Sequence, residues 1–194
     1  MIKAVFLDRD GVINRDVELL HKKEDVELLP RVGEAIKLLN DNRYLVVIVT
    51  NQPVVARGLC TLDEAVAINN HIQNLLHQQG ARIDAVYLCP HHPNPTGRIG
   101  EKGPNPQYVR ECDCRKPKPG MISQAIKDLK IQDSSLCYMI GDSISDIKAG
   151  NEAGCKTILV DRERAEKFSD AIPNHKARDL YEAVTGIILK GQGD

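Results

Sequence analysis

Short apolar runs alternate with segments of helical periodicity along most of this chain. The continuous apolar runs, which are typical of buried strands, are residues 4–7, 44–49, 85–88, 136–140 and 157–160. The segments in which apolar residues recur every three or four positions, and which we predict to be helices, are 32–39, 62–76, 121–129 and 144–153. This alternation predicts an α/β fold in which helices cover both faces of a parallel sheet.

One long segment interrupts the alternation. Residues 90–119 hold seven of the ten prolines together with several glycines, and they show no helical or strand periodicity. We therefore predict a long loop here, and a loop of this length within a compact domain is usually functional. No low-complexity linker or internal repeat divides the chain, so we expect residues 1–194 to form a single domain.

Three cysteines and a histidine mark the two ends of the long loop. Cys89 and His91 lie at its start, and Cys112 and Cys114 lie near its end. This set matches the Cys₃His composition of structural zinc sites, in which four protein ligands leave no position for a reacting water. The sequence therefore predicts a zinc-stapled loop over residues 89–114. A disulfide across the loop, unrelated thiols, and His92 in place of His91 remain alternatives.

Two carboxylates directly follow the first apolar run. Asp8 would emerge at the carboxyl end of a buried strand, where open α/β sheets bind ligands. Asp10 would point the same way while the chain stays extended, because side chains at i and i+2 share a face. Two anions this close favour a cation between them, and their hard oxygen ligands indicate Mg²⁺. An ordinary turn is the alternative for this motif taken alone.

Other polar and charged residues follow the later strands or the long loop. They are Thr50, Asn51, Gln52, Arg115, Lys116, Asp142 and Asp146. At the carboxyl edge of a parallel sheet such side chains can hold phosphoryl oxygens beside the acid pair. Taken singly, they also fit simpler roles: a polar turn, a solvated basic run, or an acid at the start of a helix.

In sequence order, these residues resemble the motifs of the haloacid dehalogenase-like phosphatases. The matching positions are Asp-Arg-Asp-Gly at 8–11 for the first motif, Thr50 for the second, Lys116 for the third, and Asp142 with Asp146 for the fourth. The resemblance implies a Rossmann-like sheet with the first strand central. The connections between the predicted elements are too short for a separate cap domain, so residues 16–29 can form only a small flap.

The resemblance also implies a chemical role for each motif. Asp8 would be the nucleophile that forms an aspartyl-phosphate, and Asp10 the general acid and base. Thr50 and Lys116 would stabilise the transferring phosphoryl group. The ligands of Mg²⁺ would be Asp8, the backbone carbonyl of Asp10, and Asp142, with Asp146 orienting Lys116 or the metal ligands.

Motifs around the long loop narrow the resemblance further. Cys-Pro-His-His-Pro at 89–93, Cys-Asp-Cys-Arg-Lys-Pro at 112–117, and residues 51–52 and 56–58 resemble the D-glycero-D-manno-heptose 1,7-bisphosphate 7-phosphatases. This implies release of a C7 phosphate for nucleotide-activated heptose and surface polysaccharide biosynthesis. The substrate-binding residues would include Asp16, Asn51, Gln52, Arg57 and Arg115. The chain departs from the family pattern at Val12, Pro53 and Ser143, which leaves the sugar and its anomer open.

Four other functions compete with this interpretation. A histidinol-phosphate phosphatase shares the zinc loop, typically in a shorter version than the 20 residues (92–111) that separate His91 from Cys112 here. A polynucleotide 3′-phosphatase shares the motifs and the capless architecture. A phosphoacceptor signalling module has a similar cluster of acids, Thr and Lys but no need of Asp10 as an acid. A zinc-dependent binding protein would not depend on Asp8.

Composition narrows the choice of partner. The net charge is −1, so no basic field draws the chain to nucleic acid or anionic lipid. Tryptophan is absent and only two phenylalanines are present, which leaves few platforms for stacking bases. We see neither a signal peptide nor an apolar run of membrane-spanning length, and we expect a cytoplasmic monomer that binds a small sugar bisphosphate.

Overall fold

A six-stranded sheet organises the protein, and the computed structural model describes residues 1–160 and 171–192. The strands are β1 (Lys3–Leu7), β2 (Tyr44–Asn51), β3 (Ala85–Cys89), β4 (Tyr138–Gly141), β5 (Lys156–Val160) and β6 (His175–Ala177). Their order is β3-β2-β1-β4-β5-β6, and every neighbouring pair is parallel. The five predicted strands and the central position of the first are confirmed.

Helices cover both faces of this sheet. They are α1 (Val32–Asp41), α2 (Leu62–Gln78), α3 (Gly120–Asp128), α4 (Ile144–Glu152) and α5 (Leu180–Glu182). Alternate side chains of β1 point to opposite faces. Val5 and Leu7 pack in one apolar cluster with α1, α2 and α5, whereas Phe6 packs in another with α3 and α4. The predicted three-layer α/β fold is confirmed. In the described ranges no helix is long and apolar enough to cross a membrane.

The carboxyl-terminal part of the described chain contains elements that the apolar pattern does not indicate. Strand β6 has three residues, of which only Ala177 is buried, so it forms no apolar run. Helix α5 continues into a π-helical turn (Ala183–Ile188) and a 3₁₀ turn (Lys190–Gln192). The strand predicted at 136–140 begins later, at Tyr138, because the preceding residues form a 3₁₀ turn (Ser134–Leu136).

The long loop, residues 90–119, contains no helix or strand, as predicted, and its tip is anchored on the turn that follows β2. The backbone N–H of Gly100 donates to the Arg57 carbonyl at 2.9 Å. A Cβ atom on Gly58 would lie 2.2 Å from the Gly103 carbonyl oxygen, and the φ of Gly58 is +68°. Only glycine accommodates both constraints, so this contact fixes the loop against the turn.

The flap, residues 16–29, lies between β1 and α1. It contains one 3₁₀ turn (Lys23–Asp25) and two successive residues in the left-handed region, Glu18 with φ 42° and Leu19 with φ 63°. In the described residues no separate folded unit covers the carboxyl edge of the sheet, so the prediction of a fold without a cap domain is confirmed.

Candidate active site

A polar cavity of about 220 Å³ opens at the carboxyl ends of β1, β2 and β4. The predicted site residues that line it are Asp8, Asp10, Asp16, Asn51, Gln52, Lys116 and Asp142. The other lining residues are Leu19, Leu20, Pro53, Val54, Ser143 and Ser145. Ligands of parallel α/β proteins bind at this edge of the sheet, because the strands deliver polar loop residues there from distant parts of the chain.

The ammonium group of Lys116 lies between two carboxylates at the bottom of this cavity. Its Nζ is 2.8 Å from Oδ1 of Asp8 and 2.6 Å from Oδ1 of Asp146. It also donates to the Val49 carbonyl at 2.8 Å, so three oxygens surround the ammonium group. Both Lys116 and Asp146 are buried, which shields this ion group from water.

The combined effect of burial and neighbouring charges raises the pKa values of both Asp8 and Lys116. Burial, together with the negative charge of Asp146, raises the pKa of Asp8 to about 7, although Lys116 opposes the shift. Burial alone would lower the pKa of Lys116, but the carboxylates of Asp146 and Asp8 outweigh it and raise that pKa above its usual range. Lys116 therefore stays cationic beside the predicted nucleophile.

The side-chain amide of Asn51 holds the backbone of Lys116. Its Oδ1 accepts the Lys116 N–H at 3.0 Å, and its Nδ2 donates to the Lys116 carbonyl at 3.0 Å. Asn51 ends β2, so this pair of hydrogen bonds joins the end of the long loop to the sheet. Asn51 lines the cavity as predicted, and in addition it positions the lysine.

Asp10 accepts hydrogen bonds from three side chains. Gln52 Nε2 donates to its Oδ2 at 2.9 Å and also to Thr50 Oγ1 at 2.8 Å. Asn14 Nδ2 donates to Oδ1 at 2.8 Å, and the Arg9 guanidinium contacts both oxygens. The buried hydroxyl of Thr50 is thereby connected to the predicted acid and base through a single amide.

Three carboxylates could hold a cation at this edge of the sheet. Oxygens of Asp8, Asp142 and Asp146 all lie within 4.8 Å of one another, and hard oxygen ligands of this kind suit Mg²⁺. A Cβ atom on Gly11 would lie 2.0 Å from Asp142 Oδ2, and the φ of Gly11 is +78°. Glycine at this position therefore leaves the space that Asp142 occupies. The side chain of Asp10 lies outside the cluster, consistent with its predicted contribution through the backbone.

Asp146 has a second task at the start of α4. Its Oδ2 accepts from the Ser143 N–H at 3.1 Å and from Ser143 Oγ at 2.6 Å, which completes a capping box. A Cβ atom on Gly141 would lie 2.2 Å from the Asp146 Cβ, so glycine lets this side chain pack against the strand end. The carboxylate that contacts Lys116 is therefore fixed by the helix terminus.

The predicted zinc ligands lie together at the base of the long loop. His91 Nδ1 is 3.7 Å from Cys89 Sγ and 3.4 Å from Cys114 Sγ, and Cys112 Sγ is 3.6 Å from Cys89 Sγ. Hydrogen bonding from Cys89, His91 and Cys112 lowers the pKa of Cys114, whereas hydrogen bonding with Cys114 and burial raise the pKa of Cys89. A tetrahedral Zn²⁺ site needs this donor set, and the residues fit it.

The geometry bears on the alternatives for this cluster. Its three cysteines are free thiols in the structure. His92 points elsewhere, because its Nδ1 accepts the N–H of Asn94 at 3.2 Å. His91 is the histidine that the fold brings to the thiols.

Two predicted substrate-binding residues do not line the cavity. The Arg57 guanidinium donates to the carbonyls of Thr96 and Arg98, at the tip of the long loop. Arg115 donates to the His91 carbonyl at 3.1 Å, beside the cysteine cluster. In the structure both residues support the loop, and their contact with substrate stays a prediction.

Arg9 and Asn14 are functional-site residues that the sequence analysis missed. Arg9 is fully buried and carries an ion pair with Asp10, and the buried Asn14 donates to the same carboxylate. The sequence held a signal for Arg9 in the alternation of side-chain directions along an extended chain. Asp8 and Asp10 share one face, so the residue between them points away from the cavity into the protein, where a cation needs a partner.

Comparison with known proteins supports the same family. A family profile described as HAD-hydrolase-like matches residues 113–183. The D-glycero-D-manno-heptose-1,7-bisphosphate 7-phosphatase of Chlorobaculum tepidum is 39% identical, over 96% of this chain and 94% of the relative. The D-glycero-beta-D-manno-heptose-1,7-bisphosphate 7-phosphatase of Haemophilus ducreyi is 41% identical, over 89% of this chain and 93% of the relative.

A solved structure matches the fold over its whole length. The crystal structure of D,D-heptose 1,7-bisphosphate phosphatase from B. bronchiseptica, complexed with magnesium and phosphate, gives a TM-score of 0.80 at 27% identity. The match covers 98% of this chain and 99% of that one. Together with the sequence relatives, it shows that this chain belongs to the haloacid dehalogenase-like hydrolases and, within them, to the family of D-glycero-D-manno-heptose 1,7-bisphosphate 7-phosphatases.

Proposed function

We propose that this protein hydrolyses the C7 phosphate ester of D-glycero-D-manno-heptose 1,7-bisphosphate, a step toward nucleotide-activated heptose for surface polysaccharides. The observation that carries the proposal is the buried contact of Lys116 with Asp8 and Asp146, beside Asp10 in one cavity. This arrangement suits phosphoryl transfer through a carboxylate nucleophile. The relatives named above act on this sugar bisphosphate, which supports the choice of substrate.

Two carboxylates divide the reaction into two displacements. Asp8 attacks phosphorus and the bond from phosphorus to the C7 oxygen breaks, while protonated Asp10 gives its proton to that oxygen. The product at this stage is an aspartyl-phosphate. Asp10, now ionised, takes a proton from water, and the resulting hydroxide attacks phosphorus and restores Asp8 with release of phosphate. Asp10 lines the cavity with a quarter of its side chain exposed, so it can reach a leaving group there.

Positive charge and hydroxyl donors stabilise the transferring phosphoryl group. Lys116 supplies a fixed cation next to Asp8, and Thr50 lies at the end of the adjacent strand. The ligands that would hold Mg²⁺ are Asp8, the Asp10 carbonyl and Asp142. When bound, the ion neutralises charge on the phosphoryl oxygens. Asp146 acts indirectly, because its oxygens are engaged by Lys116 and Ser143.

The cysteine cluster would hold a structural Zn²⁺ through Cys89, His91, Cys112 and Cys114. Its position explains why a zinc site belongs in this enzyme: Cys114 is followed within two residues by Lys116. Fixing the base of the long loop therefore fixes the catalytic lysine as well.

Substrate selection would depend on the flap and the long loop, since no cap domain covers the cavity in residues 1–160 and 171–192. Asp16, Asn51 and Gln52 face the cavity and would contact the sugar or its phosphate. Arg57 and Arg115 would hold the second phosphate, because guanidinium groups suit phosphate recognition. We place the enzyme in the cytoplasm as a monomer, with neither nucleic acid nor membrane as partner.

Steady-state kinetics with Mg²⁺ on three substrates test this proposal. The substrates are the α and β anomers of the heptose bisphosphate, and histidinol phosphate. We expect kcat/KM for one anomer to exceed that for histidinol phosphate by about 10²-fold or more, because a site built for two phosphates gains binding energy from the second. Equal or faster hydrolysis of histidinol phosphate would replace the proposed substrate. Stable phosphorylation of Asp8 without phosphate release would instead identify a phosphoacceptor module.

A further inference from the structure

The guanidinium of Arg9 is fully buried, and the mechanism proposed above does not use it. Its Nη2 lies 2.9 Å from Oδ1 and 2.8 Å from Oδ2 of Asp10, and its Nε lies 3.2 Å from Oδ1. A buried ion pair contributes little net stability, because desolvating both charges offsets their attraction. Stabilisation of the fold therefore does not explain why Arg9 makes these contacts.

The other end of the guanidinium is attached to a helix. Arg9 Nη1 donates to Oδ1 of Asn69 at 3.1 Å. Asn69 lies in α2 and is buried on the face where the neighbouring buried side chains are the apolar Ala65, Ile68 and Ile72. The helix is fixed at its start by a capping box and packs on the sheet, so Asn69 is a rigid anchor.

Arg9 is the one side chain in the described contacts of Asp10 that bonds to both carboxylate oxygens. Asn14 reaches only Oδ1 and Gln52 only Oδ2. The last torsion of an aspartate is broad, and Asn14 and Gln52 each restrain one oxygen through a side-chain amide that can itself turn, so these contacts hold the plane of the carboxyl group only in part. Contacts to both oxygens from one planar guanidinium fix that plane.

We propose that Arg9, anchored by Asn69, is a positioning residue that fixes the carboxyl plane of Asp10 for proton transfer to the leaving oxygen. The inference rests on the proposed function, because it assumes that Asp10 is the general acid and base. Arg9 touches no reacting atom in this scheme. Its loss leaves the attack by Asp8 intact but lets Asp10 present its proton in the wrong direction.

A double-mutant cycle tests this role through phosphate release from the heptose bisphosphate. Arg9→Lys keeps the charge but cannot contact both oxygens as a planar fork. We expect it to lower kcat by about 10²-fold, with little change in KM, since misplacing a catalytic group by about 1 Å has an effect of that size. In an Asp10→Asn background the same change should lower kcat by less than about twofold, because the group that it positions is already lost.

A second substrate separates positioning from general damage to the fold. p-Nitrophenyl phosphate releases a stable phenolate that needs little protonation, so Arg9→Lys should lower the single-turnover release of p-nitrophenolate, which reports the first displacement alone, by less than about fivefold. A single-turnover rate lowered as much as turnover of the sugar substrate, or a full further loss in the Asp10→Asn background, would show a structural role and overturn the proposal.

Changes on α2 provide a milder variant and its control. Asn69→Leu removes the anchor of Arg9 and keeps Arg9 itself, so it answers the same question if Arg9→Lys does not fold. We expect about tenfold lower kcat on the sugar substrate, again absent in the Asp10→Asn background. Asn70→Leu, on the exposed face of the same helix, should leave kcat unchanged.

The failure of the proposed substrate and the failure of the positioning role are distinguishable. A wild-type enzyme without activity on the heptose bisphosphate would refute the proposed substrate. An active wild type whose kcat is equalled by that of Asn69→Leu and Arg9→Lys would refute the positioning role.

Discussion

At the residue scale, Asp8, Lys116 and Asp146 form one buried ion group, so a change in any member alters the charge felt by the other two. The type of each residue is predictable from the motifs in the sequence, and so is its place at a strand end. The side chains that position these residues are not predictable, because their contacts depend on loop geometry. Examples are Asn51, which holds the Lys116 backbone, and Arg9, which contacts Asp10. The motifs predict a substrate contact for Asn51, whereas the structure also pairs its side chain with the Lys116 backbone.

Replacing Lys116 with methionine should disable the enzyme without unfolding it. The change removes the cation from the phosphoryl site, and we expect kcat to fall by about 10²- to 10³-fold. Without the opposing charge of Lys116, the pKa of Asp8 should rise further. Phosphate release measures the loss, and circular dichroism verifies the fold. Lys118→Met is the matched control, because Lys118 is exposed and its ammonium group pairs with the exposed Asp113 at 3.2 Å. Activity above a tenth of wild type in Lys116→Met would contradict this role.

Mg²⁺ affinity should depend on pH through Asp8. Its pKa is raised to about 7, chiefly by burial, so a proton occupies the carboxylate below that pH and a divalent cation must displace it. We expect affinity to weaken by about tenfold per unit as pH falls below 7, and to level off above it. Calorimetric Mg²⁺ titrations between pH 5.5 and 8 would show this slope and the released proton. A flat affinity between pH 5.5 and 7 would contradict this pH dependence.

At the element scale, the long loop is held at both ends by different chemistry. Its base carries the cysteine cluster, and its tip lies on the turn around Gly58 through close backbone contact. The first anchor is predictable, because metal ligands have characteristic spacing in sequence. The second is not, because a glycine that permits close approach looks in sequence like any turn glycine. Strand β6 is not predictable either, because it has no apolar run in the sequence and joins the sheet through its backbone pairing with β5.

Removing one thiol should release the base of the loop. Cys112→Ser is expected to lower zinc content from about one ion per chain to a small fraction, because a structural site needs all four ligands. KM should rise and kcat should fall, since Lys116 follows the cluster. Metal analysis of the purified protein gives the zinc content. Cys60→Ser is the control, because this half-buried thiol lies outside the cluster and its loss should leave zinc unchanged.

The tip anchor can be tested with two glycines of similar conformation. Gly58→Ala and Gly80→Ala both place alanine at positive φ, +68° and +77°, and this backbone conformation alone should cost each variant about 1 kcal/mol of stability. Only at Gly58 would the new Cβ meet backbone, 2.2 Å from the Gly103 carbonyl oxygen. We therefore expect KM for the sugar bisphosphate to rise in Gly58→Ala alone. Equal KM values in the two variants would show that the tip does not shape the substrate site.

At the scale of the whole molecule, a sheet without a cap domain must select its substrate with short segments. The flap contributes Leu19 and Leu20 to the cavity, and the long loop contributes Lys116. The α/β architecture follows from the apolar pattern, and the central position of the first strand is what the resemblance to the haloacid dehalogenase-like phosphatases implies. The shape of the cavity does not, because it depends on how the flap and the loop fold against each other. Because the flap and the long loop shape the cavity, we expect residues outside the sheet to decide between sugar substrates.

The most direct measurement is a phosphorus NMR time course of the heptose bisphosphate with the enzyme and Mg²⁺. We expect the C7 phosphomonoester resonance to disappear, inorganic phosphate to appear, and the C1 phosphate resonance to persist. Asp8→Asn should abolish the change, because the carboxylate that attacks phosphorus is gone. Loss of the C1 resonance, or an unchanged spectrum under conditions in which histidinol phosphate is hydrolysed, would contradict the proposed activity.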